Sequence, residues 1–362
     1  QLYLLGGWAP PLGVALRADA LSAAMMVLVA VVIAGIEIYA RRDFATPAGT
    51  EEARAPLAFW LLLLAGWGWL NLVFVSGDLF TLYVGLELLT FAGVPLVCLD
   101  GRGETLRAAL RYLLFALLGS LLYLLGTVLI YGSYGTLDMA QLAPLVRADG
   151  LTATVLALMT VGLLAKTALF PLHIWLPPAH AGAPAAASAV LSALVVKGSW
   201  FLVVRLWFDA LPGAVSFGAA QWLGTLGAAA IVFGSIVALR QRRLKLLVAY
   251  STIAQIGYLF LMFPLAFDLA TGTLLHGAAL TAGLLQVAAH ATAKAGMFMA
   301  AGLIYAALGH DRIADLGGVA RALPVTVLAF AVAGLALMGV LPSGAYLAKK
   351  LLLGAAAGNG QW

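Results

Sequence analysis

Residues 152–176 read TATVLALMTVGLLAKTALFPLHIWL. Such a run, with one formal charge at Lys166, is long enough to cross the roughly 30 Å hydrocarbon layer of a bilayer as a helix. Pro171, however, removes a backbone donor and blocks the carbonyl of the preceding turn. The stretch therefore predicts a membrane span that is broken beside a lysine. Non-helical backbone at membrane depth survives only against protein or water, and interrupted helices often mark ion sites in transporters. A second weak point of the same kind stands at Pro342-Ser343-Gly344, close to Lys349.

Composition agrees with this reading over the whole chain. With 64% hydrophobic and 10% charged residues, the 362-residue chain carries more apolar surface than one water-soluble core could cover. Ten apolar segments of spanning length are predicted, at about 19–40, 57–75, 79–98, 106–133, 152–176, 184–208, 217–239, 246–267, 273–308 and 324–357. Polar or turn-rich separators lie between them, among them 41–56, 177–182 and 240–245. None of these is long enough for a soluble domain, so residues 1–362 read as one transmembrane domain. The chain begins with Gln1 and shows no charged region ahead of a short apolar stretch, so it reads as an interior piece of a longer protein.

Loop charge tests the helix count. With the first residues outside, the inner loops and helix ends hold twelve basic residues, clustered at 41–54, 102–111, 240–245 and 312–321, and Lys245 counts among these loop anchors. The outer ones hold Arg17, Arg147 and Arg205. A missed or extra span would scramble that asymmetry. The basic residues thus serve as membrane anchors rather than a nucleic-acid patch, and no nucleic acid is expected as a partner. The single cysteine, Cys98, leaves no disulfide framework, cysteine-ligated cluster or zinc site within the chain.

Five basic residues remain, all lysines within apolar segments: Lys166, Lys197, Lys294, Lys349 and Lys350. The split between peripheral arginines and deep lysines has a chemical meaning, because a desolvated lysine can release its proton and an arginine cannot. Among the acids only Glu87 sits mid-span. Unpaired charges in hydrocarbon each cost several kcal/mol, so these groups must face one another or water. Lys350 is equally consistent with a side chain that snorkels to the interface. A static ion pair between Glu87 and Lys166 is the structural alternative for those two residues. His290 and Lys294, four apart, share one helix face and suggest a relay. His173 follows the break and suits freed carbonyls; His276 and His310 read as peripheral.

The run KTALFPLHIWLPPAH at 166–180, followed by Val196-Lys197-Gly198, resembles the K-x-x-x-x-P-L-H-x-W-L-P-x-A-H motif of the antiporter-like subunits. That family comprises the proton-pumping subunits of respiratory complex I, their relatives in membrane-bound hydrogenases, and the large subunits of Mrp-type sodium/proton antiporters. KLLVAYSTIAQIG at 245–257, the His290/Lys294 pair and LPSGAYLAK at 341–349 match in family order. The Leu-Pro-Ser-Gly and Val-Lys-Gly stretches look closest to the Mrp D subunit, and Lys349 stands where one complex I subunit type has glutamate. The resemblance implies an all-α membrane protein with two broken helices, from a family with about fourteen spans. By topology, 57–208 and 217–362 would be inverted five-helix repeats, the second truncated. It further implies that Glu87 tunes Lys166, that Lys197, His290 and Lys294 form a central relay, and that Lys349 is the terminal lysine. Protons or sodium ions would move along this axis, in the cytoplasmic membrane of a prokaryote. Other membrane subunits of an antiporter, complex I-like or hydrogenase assembly, and lipid, would be the partners.

The chain carries no nicotinamide, flavin or iron-sulfur motif, so neither a cofactor nor a catalytic site is expected in it. Two other classes share its features. A small-solute symporter would also have broken helices and buried charges, and a quinone-binding redox subunit would share the apolar composition.

Overall fold

The computed structural model describes residues 1–46, 49 and 53–360. Part of the 41–56 separator and the last two residues of the second predicted repeat therefore lie outside the described residues. Among those described, nine helices are long and apolar enough to cross a membrane: α1 (Ala20–Asp43), α2 (Arg54–Val75), α3 (Leu79–Val97), α4 (Gly103–Tyr134), α5 (Gly150–Thr167), α7 (Ala185–Ala210), α8 (Phe217–Leu239), α9 (Leu244–Ala266) and α10 (Ala278–Leu308). The short α6 (Leu176–Gly182) follows α5. The tenth predicted segment is two helices, α11 (Pro324–Met338) and α12 (Gly344–Gly358), each of 15 residues. The only strands among the described residues are two small hairpins outside the spans, Leu2–Leu4 with Ala15–Arg17 and Phe267–Asp268 with Thr273–Leu274.

One sequence expectation needs correction here. Residues 177–182 are not a turn-rich separator but most of α6, and Leu176, Pro177, Ala179 and His180 are buried. Paired prolines suit the first turn of a helix, where the missing N–H has no partner to lose. The broken span thus continues past Pro171 as a second half-helix.

The acids at the end away from the basic loops mostly cap helices. Asp19 accepts from Ser22 N–H, Asp78 from Phe80 and Thr81, and Asp149 forms a capping box with Thr152. Each satisfies orphan amides and sits at the positive end of a helix dipole. These ends also gather together, through backbone bridges between Leu16 and Ser76 and between Asp78 and Asp138. At the opposite end Arg243 pairs with Asp311 at 2.9 Å and Arg102 donates to the Gly182 carbonyl at 3.4 Å. The grouping of loop ends agrees with the alternation read from charge.

Small residues let the helices approach closely. A Cβ on Gly119 of α4 would lie 2.5 Å from the Gly162 carbonyl oxygen of α5, and one on Gly162 would lie 2.3 Å from that of Gly119. Gly227 of α8 and Gly257 of α9 repeat the arrangement at 2.6 and 2.3 Å. In a membrane, where lipid is as apolar as leucine, such close backbone contact is a main source of helix association. Enclosed among these packed helices lies α7, in which every residue but Asp209 is buried. Two π-helical turns interrupt it, at Leu191–Val195 and Arg205–Ala210. Its C-terminal end is fixed by Arg205, whose guanidinium bridges Asp19 and Asp209, each at 2.7 Å. Burial would raise the Asp19 carboxyl, but the bonds from Arg205 and the Ser22 amide outweigh it and hold the group well below the usual carboxylate range.

Candidate functional site

The first break ends α5 one residue after Lys166. Ala168 adopts the left-handed conformation at φ 60°, the only non-glycine residue with positive φ among those described, and its N–H closes onto the Ala165 and Leu164 carbonyls. Left-handed backbone suits glycine, so alanine here carries a strain of about 1–2 kcal/mol. The break's freed carbonyls are satisfied from within the protein: the Trp175 indole donates to Ala165 O at 2.8 Å and the Thr167 hydroxyl to Leu163 O at 2.7 Å. Trp175 itself stacks on Tyr112, with ring centroids 4.3 Å apart. A tryptophan thus serves the broken backbone, beside His173, which interacts with the Pro171 carbonyl as the sequence suggested.

Lys166 therefore stands at a helix C-terminus, where a cation is favoured. Its ammonium donates to Glu87 Oε2 at 3.0 Å and to the Thr90 hydroxyl at 2.8 Å. Glu87 and Thr90 lie one turn apart on α3, and Glu87 also accepts from the Ser120 hydroxyl of α4. Beside Lys166 is a void of about 10 Å³ lined by Thr90, Tyr112 and Ser199, among others. That is about the space one water needs. Ser199 belongs to α7, the helix that also carries Lys197.

Lys197 is buried in α7 and donates to the carbonyl of Ser192 in the first π-helical turn. The Ser192 hydroxyl meets that of Thr252 on α9 at 2.9 Å, and Thr252 donates to Val248 O at 3.0 Å. Lys294 of α10 reaches the same carbonyl at 3.0 Å and also donates to the Ser251 hydroxyl. Two hydroxyls and two carbonyls thus join Lys197 to Lys294 across three helices. His290 is buried one turn from Lys294, with neither ring nitrogen bonded to a described residue. Gln286, one turn further, donates to Gln255 at 2.8 Å and extends a polar stripe along α10.

Lys349 stands apart. Its ammonium caps the carbonyl end of α11, donating to Leu337 O at 3.2 Å and Met338 O at 3.0 Å, and lies 4.7 Å from the centre of the Tyr258 ring. Among the described residues no hydrogen bond joins it to the other five, and Lys350 is exposed. The structure thus pairs Glu87 with Lys166, links Lys197 with Lys294, sets His290 beside Lys294, and leaves Lys349 at the second break.

Two residues escaped the sequence reading. Lys245, counted there as a loop anchor, is buried, and its ammonium donates to Ala183 O at 2.6 Å. His180 is fully buried with both ring nitrogens unbonded among the described residues. Among the described residues no group of three or more His, Cys, Asp or Glu side chains is arranged to hold a metal.

Residues 76–362 match the family model described as NADH:quinone oxidoreductase/Mrp antiporter, TM. The chain belongs to that family. It is 36% identical over 364 aligned residues to the N subunit of the NADH-quinone oxidoreductase of Desulforudis audaxviator, covering 99% of this chain and 70% of the relative. It is 30% identical over 358 residues to the D subunit of the Na(+)/H(+) antiporter of Alkalihalophilus pseudofirmus, covering 97% and 69%. The fold matches a chain in the structure of the membrane-bound sulfane sulfur reductase, an archaeal respiratory membrane complex, with a TM-score of 0.83 and 31% identity, covering 99% and 71%. Membership in this antiporter family makes the chain an integral membrane protein, and its similarity extends to respiratory and antiporter members alike.

Proposed function

We propose that this chain moves protons, or exchanges protons for sodium, as one subunit of a multi-subunit complex in a prokaryotic cytoplasmic membrane. The observation that carries the reading is the buried Glu87–Lys166 pair together with a second, hydroxyl-linked pair of buried lysines. Similarity to an NADH-quinone oxidoreductase and to a Na(+)/H(+) antiporter, through their N and D subunits respectively, supports the same reading.

In this reading the ion pair is the switch. At 3.0 Å and an effective dielectric of 20, attraction between unit charges is about 5 kcal/mol. Drawing Glu87 away from the lysine removes that attraction, and the ammonium then gives its proton to a water in the adjoining void. Lys197, Lys294 and His290 pass the charge on, and Lys349 receives it at the second break. Driving energy comes from partner subunits or an ion gradient. Each broken span is the fourth of its unit, the second unit having four spans within this chain, and the two run in opposite directions, which supports reading 57–208 and 217–362 as inverted repeats.

Flux measurements on the assembled complex in proteoliposomes, with a pH-sensitive and a sodium-sensitive dye, test the reading. Lys166→Ala and Lys294→Ala should each lower flux at least tenfold with assembly retained. A wild-type complex without ion flux, or normal flux in both variants, overturns it.

A further inference from the structure

A cavity of about 690 Å³ opens at the exposed Arg102 and Glu104, on the side of the basic loops. Its inner wall is the carbonyl end of α6, where three cations each take one carbonyl. Arg243 donates to Ala181 O at 3.3 Å, Arg102 to Gly182 O at 3.4 Å and Lys245 to Ala183 O at 2.6 Å. Capping the end of a half-helix explains cations there. It does not explain the difference among them. Arg102 and Arg243 also pair with Asp100 and Asp311, whereas the Lys245 ammonium has no carboxylate partner among the described residues. It is also the only one of the three able to lose its proton.

Behind this wall, on the preceding turn of α6, lies His180. Its ring stacks on Phe298 of α10 at 4.6 Å, one turn from Lys294. The helix α6 that carries it packs against α9, whose first turn holds Lys245. A fully buried imidazole without a bond at either nitrogen among the described residues needs an explanation beyond packing. A neutral imidazole accepts a proton on one nitrogen and releases one from the other.

We infer that Lys245 and His180 form the inlet through which protons from the basic-side cavity reach Lys294. The inference rests on the translocation reading above. A proton passes from water in the cavity to the neutral Lys245 amine, then to one nitrogen of His180. The proton on the other nitrogen leaves toward Lys294, and the return of both groups to their starting forms completes the step.

Three variants, each in the assembled complex with Cys98→Ser as background, test this. Lys245→Arg keeps a donor for Ala183 O but not a releasable proton, and it should lower flux at least tenfold while assembly is unchanged. His180→Gln should do the same. Ala181→Cys, on the cavity wall, should be modified by a membrane-impermeant maleimide from the basic side only, with flux falling in step with modification. Near-normal flux in an assembled Lys245→Arg or His180→Gln variant overturns the inlet, because a cap alone would be restored by arginine. If Lys245→Arg fails to assemble, the labelling decides: modification without loss of flux, or none from the basic side, overturns the inlet. A normal inlet variant beside an inactive Lys294→Ala variant removes only this inference, whereas absence of wild-type flux removes the reading beneath it.

Discussion

Glu87→Gln separates a residue that tunes a proton from one that carries it. The carboxylate sits 3.0 Å from the Lys166 ammonium and accepts from Ser120, while Thr90 holds the same ammonium at 2.8 Å. Replacing the charge with an amide removes about 5 kcal/mol of attraction at a dielectric of 20. A lysine kept charged without a partner would cost the fold about 3–5 kcal/mol, as removing one member of a buried pair does. A lysine that releases its proton escapes most of that cost, and Thr90 remains to hold the neutral amine. The expected result is a variant that assembles, loses less than about 3 kcal/mol of stability, and transports about tenfold more slowly, equivalent to about 1.4 kcal/mol in the barrier. Thermal unfolding in detergent and dye-monitored flux in proteoliposomes read the two quantities. Flux as low as in Lys166→Ala would make Glu87 a carrier, and unchanged flux would show that the pair does not control transport; either result refutes the reasoning.

Gly162→Ala sets a Cβ 2.3 Å from a backbone oxygen and should cost about 1–3 kcal/mol, measured as a lower unfolding midpoint, while Gly35→Ala, with nothing within 4 Å, should be near neutral. Asp19→Asn should destabilise at neutral pH by no more than about 1 kcal/mol, because the pair with Arg205 is partly exposed. The folded carboxyl is depressed, so its contribution is present above the unfolded pKa and is lost as pH falls through the folded value. Unfolding midpoints of wild type and variant should therefore converge progressively below about pH 4. Arg242→Cys in a Cys98→Ser background should react with an impermeant thiol reagent from the cytoplasmic face only, as the loop-charge asymmetry requires.

The buried lysines were legible because a charge inside a long apolar run has few explanations, and the Glu87–Lys166 contact followed from there being one acid at that depth. Lys245 was hidden by its neighbours. It closes the basic run 240–245, and only the packing of its first helical turn against Ala183 turns an anchor into a buried group. His180 was hidden by Pro177, Pro178 and Gly182, which suggest a turn; the prolines open a short helix instead. The hydroxyl link through Ser192 and Thr252 joins residues 60 apart, and no periodicity within one span could have disclosed it. The helix count held because each crossing changes the side of every later loop, although the tenth crossing is divided into two short helices.

The central claim is that Lys166 exchanges a proton rather than supplying a fixed charge. Lys166→Arg tests it most directly, since arginine keeps the charge and the pairing with Glu87 but holds its proton. The measurement is ion flux through the assembled complex, alongside assembly levels. The expected result is a well-assembled variant with flux almost as low as that of Lys166→Ala. Near-normal flux in a well-assembled Lys166→Arg complex would show that the site is a structural ion pair and contradict the mechanism.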